Sequence, residues 1–557
     1  MGSHVKKILC ILVVAVLVVA GCNSKEATSL DSTLLINNVN GYSMTDKGLQ
    51  QFGAILIDAG KVVATGATDS LNQQTSNPII DAGGKTMLPG LIDAHGHVLG
   101  LGKLRMEVDL VGAQSIEEAL QRIADFAAAN PELPWIIGQG WNQVFWPGKE
   151  YPTALDLDSL NLGKPVWMER VDGHAGWANS AAMEIGKVTA ETVSPAGGEI
   201  ITNDDGTPSG IFIDLAMPLV VQHLPPTDDA ALRRALQLSQ AETSSLGLTS
   251  VHDAGVHASL IPLFKEFADK DQLPTRLYTM LGGEDEFDQF QTPLASYADD
   301  KLSVRSVKLY ADGALGSRGA AMIAPYNDRE DSRGLLFESQ QDMNRMVSKI
   351  HAAGFQVNVH AIGDLANQQV LNAFAELGPQ ANARMRHRIE HAQVIDIDDL
   401  KRFSQLNIIA SMQPTHATSD MNMAEDRVGA ARIKGAYAWK TLLQDKARIA
   451  AGSDFPVESA NPFWGLHAAV TRQNQRNEPA GGWYKNEAMS REQALYTFTL
   501  GAAYAAHQDE ILGSLEPGKW ADFIFIDQDY FKIAEDKIWQ IEVLETWQAG
   551  RQVYQKP

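Results

Sequence analysis

The chain has 557 residues, 45% apolar and 20% charged, enough for a large buried core and for two or more globular domains. Its formal net charge of −22 argues against nonspecific binding to nucleic acid or to anionic membrane surfaces. Cys10 and Cys22 are its only cysteines, so a cysteine nucleophile or a disulfide framework in the body of the protein is excluded.

Lys6-Lys7 and the apolar run 8–20 read as an export signal, too short to span a bilayer comfortably. Val19-Ala20-Gly21-Cys22 resembles a bacterial lipobox, which implies a signal peptide over 1–21, lipidation of Cys22 and a polar tether over 22–32. A plain signal peptide and an uncleaved anchor helix are the alternatives. The expected location is the bacterial envelope, with Asn23 and Ser24 pointing to the outer membrane facing the periplasm.

Short alternating strands fill 33–86 and return over 509–557, which predicts a small β-sandwich domain built from both chain ends. Residues 87–508 alternate strand and helix signals, as in an α/β (β/α)8 TIM barrel. The predicted barrel strands are 87–94, 248–253, 276–281, 304–310, 355–360, 387–391, 408–413 and 448–453. About 117–226 is too long for one connection and reads as an insertion near the barrel mouth. Its Trp135, Trp141, Trp146, Trp167 and Trp177 read first as packing residues, with two or three as candidate walls of an apolar or aromatic pocket.

His95-Gly96-His97 closes the first barrel strand, and residues two apart in a strand face the same way. The two imidazoles can therefore converge on one ion, and neutral imidazole is a preferred zinc ligand. Lys308, His360, His391 and Asp454 stand at later strand ends, where a barrel carries its active site. Each alone has an ordinary explanation: an ion-pair lysine, a satisfied histidine, a turn or cap at Gly452-Ser453-Asp454. Their order around one barrel favours a shared site.

That order resembles the amidohydrolase superfamily over about 34–553. Pro89-Gly90-Leu91-Ile92-Asp93-Ala94-His95-Gly96-His97 and Gly513-Ser514-Leu515-Glu516-Pro517-Gly518-Lys519-Trp520-Ala521-Asp522-Phe523 are similar to its hallmarks. Asp172-Gly173-His174, Lys308-Leu309-Tyr310-Ala311-Asp312-Gly313-Ala314-Leu315-Gly316-Ser317-Arg318 and Arg388-Ile389-Glu390-His391-Ala392-Gln393 narrow the resemblance to the family 3 branch, which includes N-substituted formamide deformylases.

The resemblance implies a metal-dependent hydrolase of a C–N bond in an amide, formamide, carbamate or peptide-like compound, acting through metal-activated hydroxide. It implies one divalent ion on His95 and His97 and a second on His360 and His391, zinc by default, with manganese or iron as alternatives. Asp454 would bind metal or carry the water's proton to the departing amine. A protonated lysine has no lone pair for a cation, so the resemblance implies an N6-carboxylated Lys308 bridging both ions. A single ion with Lys308 unmodified is the alternative.

Glu390 is expected to anchor an imidazole from behind, and Asp312 and Arg318 to shape the pocket. Arg318 either meets a substrate carboxylate or sits in a structural ion pair. His174, with Trp177 three residues on, is expected to point from the insertion toward substrate. His252-Asp253 ends a strand too, yet the metal count is complete without it. The expected partner is a small amide-type molecule, partly apolar or aromatic, with no nucleic acid, membrane contact only through the lipid, and a homodimer. Deamination of a ring amine and ligand binding without turnover are the competing readings, and the complete ligand set speaks against the latter.

Overall fold

Eight parallel strands are hydrogen-bonded side by side in chain order: Leu91–Gly96, Leu248–Val256, Arg276–Gly282, Leu302–Tyr310, Gln356–Ala361, Arg388–His391, Ile409–Met412 and Arg448–Ala451. They form a nearly closed barrel of the TIM type, seen in a computed structural model that describes residues 33–557 apart from 46, 73–78, 144–145, 172, 174, 196–197 and 226–227. The proposed signal peptide, Cys22 and His174 lie outside the described residues. Among the described residues no helix is long and apolar enough to cross a membrane.

All eight predicted strands are present because their apolar residues fall on both faces, as burial on both sides of a parallel sheet demands. In Leu302–Tyr310, for example, Leu302, Val304, Val307 and Leu309 are all buried. The helices between strands carry the complementary signal. Gln340–Ala352 buries Met343, Met346, Val347 and Ile350 on one stripe, and the Ser339 side chain caps its start by accepting from the Asp342 amide. The predicted first strand, 87–94, is divided. Thr86–Pro89 joins another sheet and only Leu91–Gly96 enters the barrel. Gly90, between the two, lets the chain pass directly against Thr249, whose hydroxyl would lie 2.2 Å from a Cβ there.

The seam between first and last strands closes at the top. The Asp454 amide donates to His95 O and the His97 amide to Phe455 O, each at 2.7 Å, whereas lower down the Ile92 amide turns to Phe498 O. Asp93 staples the seam, accepting from the His95 amide at 3.0 Å and from the Ser453 amide and hydroxyl at 3.0 and 2.6 Å. A Cβ on Gly452 would come within 2.5 Å of that carboxylate. Gly452-Ser453-Asp454 is thus a seam element and not a turn or helix cap.

The insertion begins earlier than residue 117, because its sheet already contains Val108–Asp109 and runs to Pro208–Asp214. It is a six-stranded sheet flanked by helices, with apolar clusters of its own. The chain ends contribute a four-stranded and a six-stranded sheet, the second pairing Thr86–Pro89 with Phe523–Ile526. Ile36, Ile55 and Val62 from one and Met87, Phe523 and Trp547 from the other share a single apolar cluster.

Candidate metal centre

At the top of the barrel three histidines have one ring nitrogen committed and the other turned inward. His95 Nδ1–H donates to Glu390 Oε2 at 2.6 Å, His97 Nδ1–H to Ala254 O at 2.9 Å, and His391 Nδ1–H to Gln413 Oε1 at 2.8 Å. Each partner is an acceptor, which fixes the tautomer and leaves Nε2 with its lone pair. Burial, helped by Lys308, lowers the His95 pKa to about 4. Burial likewise brings His360 to about 3 and His391 well below its ordinary value. These imidazoles are neutral near pH 7, the form that binds metals.

Asp454 joins two donor groups. Its Oδ1 is 3.1 Å from His97 Nε2 and 3.6 Å from His95 Nε2, and its Oδ2 is 3.6 Å from His416 Nε2. His95, His97 and Asp454 form one compact set of three ligand atoms, and His391, His416 and Asp454 a second. Burial would raise the Asp454 pKa, but the contact with His97 and the imidazoles of His95 and His391 beside it hold it well below the usual carboxylate range. His97 responds in the opposite sense, its pKa raised as the Asp454 contact outweighs burial. His360 stands outside both sets, its ring centroid 4.7 Å from that of His391 and its Nε2 3.5 Å from Asp312 Oδ1.

Lys308 is buried with Nζ 3.0 Å from His95 Nε2, and burial lowers its pKa to about 8. Behind His95 a relay of buried groups fixes the carboxylate. Arg388 Nε pairs with Glu390 Oε1 at 3.1 Å, and its Nη1 donates to His252 Nδ1 at 3.0 Å. Burial would raise the Glu390 pKa, yet Arg388 and His95 carry it far down. Glu390 therefore anchors an imidazole as expected, but that of His95 across the barrel, not that of His391 beside it. His252 positions Arg388 and holds no place among the metal donors.

The donor set fits a divalent cation. Lone-pair atoms of His97 and Asp454 face each other at 3.1 Å, and the buried Nε2 atoms of His360 and His416 lack a hydrogen-bond partner. Such a convergence of acceptors and orphaned nitrogens is costly without a positive charge among them. His416 escaped the sequence reading. It follows the seventh strand in Gln413-Pro414-Thr415-His416, so the signal that exposed the others, a polar residue just past a strand end, was present.

Arg318, Asp312 and the tryptophans take structural roles. Arg318 meets Asp328 at 2.8 and 3.2 Å, in a cluster with Arg427, and does not line the cavity. Asp312 shapes the site from behind, accepting amides of Ala321, Ile362 and Gly363 at 2.8–2.9 Å to pin one loop to the next. Burial raises its pKa to about 7 against those bonds. Trp177 is wholly buried, donates to Thr153 O and packs edge-on against Trp141 and Trp146. All five insertion tryptophans are buried, in the clusters of the insertion and not on a pocket wall.

The donors open onto a cavity of about 280 Å³, also lined by Tyr310, Leu315, Gln393, Val457 and Glu458. A larger hollow of about 740 Å³, beside Met44, Leu443 and Tyr496, contains none of the metal donors.

The sequence profile of the Amidohydrolase family matches residues 78–554. The chain belongs to that family. It is 30% identical to YtcJ of Bacillus subtilis over 525 residues, 92% of this chain and 98% of that one. It is 25% identical to the N-substituted formamide deformylase of Arthrobacter pascens, over 90% of this chain and 95% of that one. An uncharacterized metal-dependent hydrolase from Pyrococcus horikoshii superposes with a TM-score of 0.75 at 27% identity, covering 90% of this chain and 99% of its own. The family makes the protein a metal-dependent hydrolase acting on carbon–nitrogen bonds.

Proposed function

We propose that the protein hydrolyses a small N-substituted amide or formamide at a centre of two divalent ions, zinc by default. His95, His97 and Asp454 would hold one, and His391, His416 and Asp454 the other, with His360 adjoining the second. Bound there, the ions supply Lewis acidity toward the carbonyl oxygen and lower the pKa of the attacking water. Asp454, ionised and shared by both donor sets, is placed to take the water's proton and return it to the departing nitrogen. Glu390 and Gln413 keep His95 and His391 from rotating. Lys308, with its pKa lowered to about 8, would have an amine fraction able to add to carbon dioxide and lose a proton, and the resulting carbamate would offer the ions anionic oxygen ligands.

The observation that carries this reading is the division of the two Asp454 oxygens between two histidine sets. A release assay on N-formyl, N-acyl amino acid and dipeptide substrates, with metal quantified, tests it. Asp454→Asn, loaded with excess zinc to offset its weakened ligand set, should still lose roughly 10³-fold or more in kcat. Full activity in that variant removes Asp454 from the mechanism. The location at the envelope through Cys22, the homodimer and a β-sandwich made by the two chain-end sheets complete the proposal on the strength of the sequence.

A further inference from the structure

A groove of about 450 Å³ runs between the insertion and the barrel, walled by Val111 and Val171 on one side and Leu104, Val457 and Trp464 on the other. Val457 and Glu458 also line the metal-site cavity, so the two spaces adjoin at one loop. Val111, Val171 and Val457 are 53%, 51% and 70% exposed. A single exposed valine is ordinary, but three converging on one concavity beside a reaction centre mark a ligand surface. Gly140 brings Val111 into place, because at φ +99° it carries no Cβ, and one would lie 2.5 Å from Val111 Cγ2.

Charge narrows the occupant. Arg105 lies on the groove, but Glu242 holds its guanidinium through two bonds of 2.6 Å and Asp109 stands 3.7 Å away. It is spent on protein carboxylates, while the Glu458 carboxylate stands where groove meets cavity. Among the described residues lining the groove no cation is left for an anionic substituent, whereas an apolar one meets the three valines.

Direction follows from the chain. The Val457 amide donates to the Asp454 backbone carbonyl at 2.9 Å, so the loop shared by groove and cavity begins at Asp454, the residue that must return a proton to the departing nitrogen. We propose that this groove is the subsite for an uncharged apolar substituent on the nitrogen of the scissile amide, with the insertion supplying half of its wall. This rests on the hydrolytic role proposed above for Asp454.

Binding of N-methylformamide, N-hexylformamide and the latter's isomer N-methylhexanamide to the metal-loaded Asp454→Asn protein, measured by calorimetry, tests it. The hexyl compound should bind roughly tenfold or more tighter than the methyl compound, and the isomer should gain far less. Val171→Asp and Val111→Ser, both at exposed positions, should each collapse the hexyl-to-methyl ratio toward unity. A ratio near unity in the parent protein, a ratio that survives both substitutions, or an equal gain from the isomer overturns the proposal. Wild-type kcat/KM for the same compounds is read separately. If no amide is cleaved while the binding ratio holds, the hydrolytic reading fails and the apolar subsite stands without its assignment to the nitrogen side.

Discussion

The barrel mouth and the insertion are both rich in residues that draw attention in the sequence, histidines in one and tryptophans in the other. They differ in what is left over once the chain has folded. In the insertion, Trp141, Trp146 and Trp177 donate their indole N–H groups to the carbonyls of Met168, Ala113 and Thr153, and their rings pack on one another. Among the described residues of the insertion no buried side-chain nitrogen or oxygen lacks a partner. At the mouth, each of three imidazoles has one nitrogen tied down, and His360 and His416 keep buried nitrogens without a partner. Function is read from the unsatisfied remainder, since buried polar atoms lacking partners cost stability that packing alone does not justify.

The strongest challenge to this contrast is Trp177→Ala. It should cost about 3–5 kcal/mol in the stability of the insertion, from the cavity and the lost ring contacts, while metal content stays unchanged. Calorimetric melting with metal analysis checks both, and loss of metal would tie the tryptophans to the site after all. Glu390→Gln is the converse case. Removing the charge that holds His95 should weaken metal binding roughly 10- to 100-fold, measured by competition with a chelator, with little change in secondary structure.

A pH series sharpens the comparison away from the centre. His387 is buried against Phe374, accepts the Val357 amide at Nδ1, and burial lowers its pKa from 6.5 to about 3. The unfolded imidazole takes up a proton at its ordinary pKa and the folded one does not. The stabilisation is therefore complete above about pH 6.5 and is lost progressively as pH falls toward 3, with a slope of about 1.4 kcal/mol per pH unit. Denaturant titrations of His387→Gln should lack that part of the slope. The smallest effect is expected from Arg318→Ala, whose partly exposed pair with Asp328 should be worth no more than about 1 kcal/mol. KM should not change even for a carboxylated substrate.

The barrel strands and six of the candidate metal-site residues were legible because burial on both faces and a polar residue at the strand end are local patterns. His95, His97, Lys308, His360, His391 and Asp454 all come to one cavity. His416 carried the same signal more weakly, since it stands on the short helix Pro414–Asp420 a few residues past the strand end and not at the end itself. Which imidazole Glu390 anchors was hidden for a related reason. Neighbours in sequence point to opposite faces of a strand, so Glu390 turns away from His391 and reaches His95 across the barrel. The groove beside Val457 was invisible, since it exists only where the insertion folds back over a loop some 300 residues later.

Metal stoichiometry measured by native mass spectrometry on the full chain tests the central claim most directly. About two divalent ions per chain are expected, with one lost in His97→Ala and one in His416→Ala, each variant remaining folded. A folded wild-type protein that retains no metal after exposure to zinc, manganese and iron would contradict it.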